Sequence, residues 1–300
     1  NSTKYSTDIL NMIRMRLSDY MDNLTEISQD ILYERKIYDV LKNDSDVEDP
    51  LMRFEYESTV NSYLKMVVIT RPEIRAICIY STDGRSYYQD DNTKEAGPKD
   101  GIPYPQMLGK ARAKKGKPYL HIVSENNKVE DIYLVRQIND REDFSELGLM
   151  VIQIKKEVFD EVYQGLTGNL QNIMILTSSM ELVSTRDDDN LSAYSGLLFD
   201  KIKGASGEIA DEKTGLFISY HTLDNTGWKI VAYITLDELY RDANILRKNI
   251  AILCVIMTIV MIVPTLFIAM DIVNPINKLV KGMEKVQAGG DNVQIQIDRG

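Results

Sequence analysis

The two histidines of the chain are the first residues whose chemistry can be judged from their spacing. His121 and His221 each lie on a predicted strand, and neither has a cysteine or a paired carboxylate at the spacing of a metal-ligand set. The acidic run 187–190 (Asp-Asp-Asp-Asn) could attract a cation, but it lacks the alternating ligand positions and closing glutamate of a calcium loop. We therefore predict no metal site, and we interpret the acidic run as a solvated turn.

Motifs for catalysis are missing as well. The sequence contains no Gly-Xaa-Ser-Xaa-Gly elbow, phosphate-binding loop or dinucleotide fingerprint. Its formal net charge of −10 argues against a nucleic-acid partner, which would need a basic face. Cys78 lies in the polar part of the chain and Cys254 in an apolar run, so we predict no disulfide. The sequence predicts neither catalytic residues nor a cofactor in this segment.

An uncharged run near the end of the chain organises the rest. Residues 250–270 carry no charge, and their polar interruptions are Thr258 and Thr265. A helix of this length spans roughly 30 Å, the hydrocarbon thickness of a bilayer. Pro264 could kink the helix, which membrane helices tolerate where threonines satisfy the freed carbonyl. We predict a transmembrane helix over 246–270; the alternative is a core helix of a soluble protein, which would be buried.

The N-terminal part has the pattern of one long helix. Residues 1–49 hold neither glycine nor proline, and apolar residues recur at steps of three and four: Ile9, Ile13, Leu17, Tyr20, Leu24, Ile27 and Ile31. This pattern predicts an amphipathic helix over 8–41, about 50 Å long. Such a helix either covers a core or forms a stalk along two successive domains, and its length favours the stalk. A second helix is predicted over 54–68, ending near Arg71 and Pro72.

From Ile74 the apolar period changes to two, which indicates strands. The predicted strands, with a short helix before the third, cover 74–80, 85–89, 118–123, 129–138 and 147–154. Five strands joined by hairpins, with helices before and after, predict an antiparallel sheet in an α+β domain.

A shorter version of the same pattern follows. Its predicted strands cover 173–177, 182–185, 207–210, 216–223 and 228–235. Thr235 and Glu238 form a capping box that would start the helix running into the membrane. We predict two tandem copies of one module; the alternative is a single mixed domain with a coincidental echo.

This order of elements resembles the double Cache (tandem PAS-like) sensor domains of bacterial transmembrane receptors. The segments 148–159 and 207–239 carry the resemblance best, and it covers roughly residues 5–245. It implies an α+β fold with five parts: a stalk helix (1–49), a membrane-distal module (50–165), a membrane-proximal module (166–245), the transmembrane helix (246–270) and a partial HAMP linker (271–300).

The segment after the span resembles the first helix and connector of a HAMP linker. Four of its residues are predicted to transmit the signal: Pro275, Leu279, Met283 and Val286. So short an amphipathic helix is marginal alone in water, and a parallel homodimer would supply partners as a four-helix bundle. The alternative is a helix on the membrane surface, held by its lysines. The resemblance places residues 1–249 outside the bacterial cell membrane and 271–300 in the cytoplasm, and it implies a first membrane helix before Asn1.

The resemblance also places a small ligand in the distal module, between the sheet and the segments that cover it. Aromatic and cationic residues of that region suit stacking and pairing with a carboxylate: Tyr80, Arg85, Tyr87, Tyr88, Tyr104, Tyr119, His121, Tyr133 and Arg136. Strand alternation turns about half of them away from any pocket. Because no tryptophan stands near Tyr104, an amino-acid ligand is not favoured. A sugar, an organic acid or a solute-binding protein remains open.

The resemblance implies the sensing and signalling part of a receptor, in the first place a two-component sensor histidine kinase. Its kinase core would lie beyond Gly300, would use ATP and Mg²⁺, and would phosphorylate a cytoplasmic response regulator. A methyl-accepting chemoreceptor or a diguanylate cyclase would carry the same sensor and differ only after residue 300. A membrane-anchored extracellular enzyme or adhesin is a further alternative, although it has no need of a HAMP-like helix.

Overall fold

The computed structural model describes residues 2–43, 49–91, 104–163, 172–186, 201–268 and 272–287. The chain divides into two compact units, Asn1–Leu236 and Asp237–Gly300. The described strands all belong to the first unit, and the described residues of the second are helical. The α+β class predicted from the sequence is confirmed.

The described residues form seven helices. Their bounds are α1 Ser2–Tyr33, α2 Arg35–Asn43, α3 Pro50–Thr70, α4 Tyr104–Ala113, α5 Glu157–Glu161, α6 Leu236–Ile268 and α7 Asn274–Gln287.

Helix α1 buries the apolar side predicted from its spacing. Its most deeply buried residues are Leu10, Ile13, Leu17, Leu24, Ile27 and Ile31. Each such side chain stabilises the fold by about 1.5–3 kcal/mol when it leaves water. The predicted helix over 8–41 is interrupted at Glu34, whose carboxylate accepts a hydrogen bond from the Lys36 amide at 3.3 Å. Glu34 therefore acts as a cap that starts α2 as a separate segment, although neither glycine nor proline marks the break.

Helix α3 begins earlier than its apolar pattern predicts. The Asp49 carboxylate accepts a hydrogen bond from the Leu51 amide at 3.0 Å, and Pro50 occupies the first helical position. Both features favour a helix start, because they satisfy or remove amides that lack a partner in the first turn. The helix ends at Thr70, before Pro72, as expected.

Within the described residues, ten strands form one sheet with a repeated order. They are β1 Ile74–Ser81, β2 Ser86–Asp90, β3 Tyr119–Glu125, β4 Lys128–Asn139, β5 Glu146–Ile154, β6 Asn172–Leu176, β7 Leu182–Thr185, β8 Ser206–Asp211, β9 Leu216–Thr222 and β10 Lys229–Thr235. The first half of the sheet has the order β2-β1-β5-β4-β3, and the second half has β7-β6-β10-β9-β8. If the strands of each half are renumbered 1 to 5 in chain order, both halves have the order 2-1-5-4-3. The two halves meet where β4 and β7 pair in parallel at Lys128 and Leu182.

The turns follow from local sequence. Asn126 and Asn127 both have positive φ, 50° and 63°, as the central residues of a two-residue hairpin between β3 and β4 require. Gly84, with φ of 93°, closes the hairpin between β1 and β2, and its amide donates to the Ser81 carbonyl at 3.1 Å. These turns set the register that decides which side chains share a face.

One face of the sheet packs on the helices as a core common to both halves. Helix α1 contacts β4 in the first half and β9 and β10 in the second. The Phe159 ring of α5 lies 6.5 Å from Tyr20 of α1 and 5.5 Å from Trp228 beside β10, measured between ring centroids. Helix α1 therefore both covers a core and runs along two successive half-sheets.

The second unit contains a helix long and apolar enough to cross a membrane. None of the apolar window of α6 is buried in the chain, whereas the core helix of a soluble protein would be buried. The Thr258 and Thr265 hydroxyls each donate to the carbonyl four residues earlier, at 2.8 Å, which satisfies both hydroxyls inside the helix. Pro264 lies inside α6, and residue 270, where the predicted span ends, lies outside the described residues.

Candidate functional site

The first half of the sheet has one face that does not pack on α1 and α3. Six of the predicted site residues line this side, which we call the tyrosine face: Tyr80, Tyr88, Tyr104, Tyr119, His121 and Tyr133. Cross-strand register places Tyr88 opposite Cys78 and His121 opposite Tyr133, so these side chains share one face. The fold therefore brings six of the nine candidate residues together.

Helix α4 covers part of the tyrosine face. Met107 and Ala111 are fully buried against it. The Tyr104 ring lies 4.4 Å from the Tyr80 ring, and the Tyr119 hydroxyl donates to the Met107 carbonyl at 2.7 Å. An aromatic pair and a hydrogen bond thus fix α4 on the sheet.

Polar groups line the tyrosine face at the end where β1 begins. The Gln153 amide donates to the Asp131 carboxylate at 2.8 Å, and Tyr133 is hydrogen-bonded to Asp131 as well. The Tyr88 hydroxyl donates to Asp90 at 3.3 Å. This row offers two carboxylates among phenol and amide groups.

Arg75 adds a positive charge to the same region. The pairing of β1 with β5 is irregular between Ile74 and Ala76, and a bulge at such a point re-aims a side chain. The Arg75 charge acts on both Tyr88 and Tyr133, where it opposes the increase in pKa caused by burial. The tyrosine face therefore carries charges of both signs.

Burial shifts the pKa of several other groups on the face in the direction that disfavours their charged form. Burial raises the pKa of Tyr119 and Tyr133 to about 12, and it raises the pKa of the Cys78 thiol to about 12. Burial, helped by the Lys110 charge, lowers the pKa of His121. Within the described part of the chain, the buried Nδ1 of His121 has no hydrogen-bond partner. The face can donate and accept hydrogen bonds, and Cys78, the one thiol among its described residues, is not activated as a nucleophile.

Three predicted residues lie elsewhere. Arg85 pairs with Asp83 in the β1–β2 hairpin and lines a small cavity with Arg53 of α3. Arg136 points to the helix side of the sheet, where its guanidinium donates to the Ser28 hydroxyl at 3.2 Å. Tyr87 is also buried on the helix side. Neighbouring strand residues face opposite ways, so neither arginine reaches the tyrosine face.

The sequence analysis overlooked the charged members of the face: Arg75, Asp90 and Asp131. Both aspartates stand two residues from a tyrosine of the face, Tyr88 and Tyr133, which is a period-two signal that could have revealed them. No such spacing marks Arg75, because the bulge between Ile74 and Ala76 interrupts the alternation of side chains along β1.

The other predicted site residues are placed as follows. Among the described residues, no group of three or more histidine, cysteine, aspartate or glutamate side chains could hold a metal ion. The acidic run 187–190 lies outside the described residues. Pro275 stands in the first turn of α7, and Leu279 and Met283 are exposed on it. Val286 also lies in α7.

Comparison with known proteins finds relatives by structure. No protein-family model matches the sequence, and no curated protein matches it. Solved structures do match. The ligand-binding domain of the Campylobacter jejuni chemoreceptor Tlp3, in complex with L-norvaline, superposes with a TM-score of 0.59 at 12% identity, covering 79% of this chain and 91% of that one.

Two further structures broaden this group. The extracellular domain of vpHK1S-Z8, described as a histidine kinase, has a TM-score of 0.56 at 10% identity, with coverage of 80% and 97%. The ligand-binding domain of the Pseudomonas aeruginosa PAO1 amino acid chemoreceptor PctC, in complex with GABA, has a TM-score of 0.54 at 12% identity, with coverage of 78% and 100%. Similarity at such low identity shows a shared fold.

Proposed function

We propose that this chain, which has the fold of double Cache sensor domains, is the ligand-sensing and membrane-crossing part of a bacterial receptor. The observation that carries the proposal is the tyrosine face, where aromatic hydroxyls surround charged groups of both signs. The fold similarity to ligand-binding sensor domains and the exposed apolar helix α6 support it. In this arrangement residues 1–249 lie outside the cell membrane.

The ligand class follows from the charges of the tyrosine face. Asp131 and Asp90 can accept hydrogen bonds from an ammonium group, and Arg75 can pair with a carboxylate. The neutral tyrosines supply apolar rings that exclude water and hydroxyls that fix orientation. The sequence analysis did not favour an amino-acid ligand, and it left open a sugar, an organic acid or a solute-binding protein. The charges of the tyrosine face instead fit a small zwitterion with an amine and a carboxylate better.

A matched set of probes tests this ligand class. GABA carries both charged groups, butyrate lacks the amine and butylamine lacks the carboxylate. We expect GABA or L-norvaline to bind the 1–300 chain in detergent micelles more tightly than either truncated probe, measured by isothermal titration calorimetry. If butyrate or butylamine binds as tightly as GABA, the zwitterion proposal is wrong.

The Asp131→Asn variant tests the residue that would hold the amine. Loss of one charge-assisted hydrogen bond should weaken binding by about 10- to 100-fold. Glu130→Gln is the matched control, because Glu130 is the neighbouring acid and is exposed. An equal loss of GABA affinity in the two variants would show a non-specific charge effect and contradict the proposed site.

Signal transmission is proposed to run along α6 into α7. A ligand that binds one of two arrangements more tightly shifts the equilibrium between them, typically by about 1–3 kcal/mol of coupling. Helix α7 exposes an apolar stripe, Ile276, Leu279, Val280 and Met283, which a HAMP-type bundle in a homodimer would cover.

Replacement of Leu279 and Met283 by alanine in the full-length receptor tests this route. Ligand binding should be unchanged while the output response is lost, because the stripe that would pair the helices is gone. Lys278→Ala, on the opposite side of α7, should keep the response. An unaltered response in the double variant would mean that α7 does not transmit the signal.

The output is proposed to be a histidine kinase acting on a response regulator, with the kinase core beyond Gly300. Such a core would bind ATP and Mg²⁺, and the full-length protein should then phosphorylate itself on histidine. A methyl-accepting chemoreceptor is the second candidate, favoured by the similarity to Tlp3 and PctC. The sequence after residue 300 distinguishes the two, since a kinase has a histidine-bearing dimerisation helix and ATP-binding motifs, whereas a chemoreceptor has a glutamate-rich coiled coil.

A further inference from the structure

A second cavity lies in the first half of the sheet, away from the tyrosine face. Its volume is about 330 Å³, within the range of small-molecule pockets. It opens where α1 ends at Tyr33, beside the segment before β3 and the loop between β4 and β5. We call it the basic pocket.

The lining of the basic pocket is strongly cationic. Lys115, Lys117, Arg136 and Arg141 all line it, together with one acid, Asp140. Within the described residues, none of these four cations makes an ion pair with a carboxylate. The excess of positive charge is notable in a chain with a formal net charge of −10, and it would attract an anion.

Asp140 does not neutralise this charge, because its own partners already engage it. Its carboxylate accepts hydrogen bonds from the Tyr38 hydroxyl at 3.1 Å and from the Glu142 amide at 2.7 Å. It also pairs with Lys42 at 3.1 Å. Asp140 is thus paired with a cation outside the pocket lining, and the four lining cations keep an excess of positive charge in the cavity.

Arg136 keeps donors for a ligand. Its Nε donates to the Gly116 carbonyl at 2.9 Å and its Nη1 to the Ser28 hydroxyl at 3.2 Å. A guanidinium has five N–H groups, so further donors stay available in a fixed fork. Both partners are uncharged, and they hold the group in place without cancelling its charge.

Two aromatic rings flank the cations. Tyr33 is 59% exposed and Phe144 is 77% exposed, and both line the basic pocket. Phe144 has a φ of 61°, an unfavourable conformation for a bulky side chain. The Arg141 Cζ lies 4.3 Å from the Tyr38 ring centroid and 5.6 Å from that of Tyr33, and the guanidinium donates to the Leu32 carbonyl at 3.0 Å. The rings give the pocket apolar walls around a charged floor.

Stabilisation by a helix dipole does not explain the cations of the pocket. Lys110 and Arg112 lie in the last turn of α4, where cations are stabilised by the helix dipole. That effect falls off within one turn, and neither residue lines the pocket. Lys115 and Lys117 lie beyond the helix, and the left-handed turn at Lys115 and Gly116, with φ of 50° and 80°, leads the chain past the pocket into β3.

We propose that the basic pocket binds a small molecule through a carboxylate or phosphate group. The anion would be held by the Arg136 fork and by the two lysines, as charge-assisted hydrogen bonds require. Because the pocket joins the end of α1 to the sheet through Ser28 and Leu32, a bound anion would stabilise the contact beside the break at Glu34.

Isothermal titration of the 1–300 chain in detergent micelles with citrate and with inorganic phosphate, at constant ionic strength, tests the proposal. We expect saturable binding of at least one of these anions. The Lys115→Gln, Lys117→Gln double variant should weaken it by about tenfold or more. Arg136→Lys should also weaken it, because the charge stays while the fork is lost.

Lys114→Gln is the matched control, since Lys114 is an exposed lysine next to the pocket that does not line it. It should change affinity by less than about twofold. The proposal is overturned if neither anion saturates, or if the control weakens binding as much as the double variant. Loss of anion binding in Arg75→Gln would assign the anion to the tyrosine face and equally refute the pocket.

Discussion

The two halves of the sheet share one strand order but differ in what fills their free face. In the first half that face carries tyrosines, two aspartates and Arg75. In the second half the corresponding positions are apolar and buried, including Met174, Ile218 and Val231. Two tyrosines of that face, Tyr220 and Tyr233, are also buried, and the Tyr220 hydroxyl donates to the Lys203 carbonyl. A repeated topology therefore does not repeat a site, and the side chains of one face decide which module can bind.

The opposite faces of the two halves, by contrast, are alike. Residues of both halves enter one apolar core with α1, and Trp228 and Phe159 contact each other within it. We expect the halves to unfold together while only the first binds ligand. The following predictions test that contrast, from the largest expected effect to the smallest.

Trp228→Ala should have the largest effect on stability. The side chain is 1% exposed, and removing so large a buried group costs about 3–5 kcal/mol. Urea unfolding followed by hydrogen exchange should show loss of protection in β1 and β5 as well as in β10. Phe144→Ala, at an exposed loop position, is the control and should change stability by less than about 0.5 kcal/mol. Loss confined to β6–β10 would mean that the halves are independent.

A pair of glycines compares backbone packing in the two halves. A Cβ on Gly148 would lie 2.3 Å from the Tyr80 carbonyl oxygen, and one on Gly207 would lie 2.7 Å from the Tyr220 hydroxyl. Overpacking of this kind costs about 1–3 kcal/mol. Gly148→Ala should lose stability at the upper end of this range, because the backbone of Tyr80 must move. Gly207→Ala should lose stability at the lower end, because the Tyr220 side chain can shift. Thermal unfolding measures the loss of stability in both variants. A larger loss in Gly207→Ala than in Gly148→Ala would contradict this reading of the two contacts.

A pair of tyrosines separates stability from binding. Tyr119 and Tyr220 each donate to a backbone carbonyl, of Met107 and Lys203 respectively, so each Tyr→Phe change should cost about 1 kcal/mol. Only Tyr119→Phe should also weaken GABA binding, by a few-fold, because Tyr119 fixes α4 over the tyrosine face. Calorimetric titration of both variants tests this, and equal weakening would remove the distinction between the halves.

Much of the fold behind this contrast was predictable from the sequence. The remainder could not be predicted, and the causes are physical. Apolar periodicity located the strands and the tandem halves, because burial of one face imposes it. It could not assign Arg136 to the helix side, since alternation divides residues into two sets without saying which set is covered. The bulge at Arg75 and the break at Glu34 depend on tertiary packing, and no glycine or proline marks either position.

The smallest effect concerns two buried aspartates, one in each half. The Glu142 amide, Lys42 and Tyr38 lower the pKa of Asp140, and Lys201, Thr214 and the Lys213 amide lower the pKa of Asp211. A carboxyl whose pKa is lower in the folded state stabilises the fold above its unfolded pKa of about 3.9. That contribution is lost as the pH falls through the lowered value.

Asp140→Asn and Asp211→Asn should therefore each reduce stability at pH 7, and the difference from the wild type should narrow as the pH falls below about 4. Urea unfolding at pH 7 and pH 3 measures this. Glu55→Gln, at an exposed position on α3, should change stability by less than about 0.5 kcal/mol at both values. Because the two aspartates have similar partners, the halves should respond to acid alike. If only one variant shows a pH-dependent loss of stability, the two halves differ in the ion pairs of their buried aspartates as well as in their free faces.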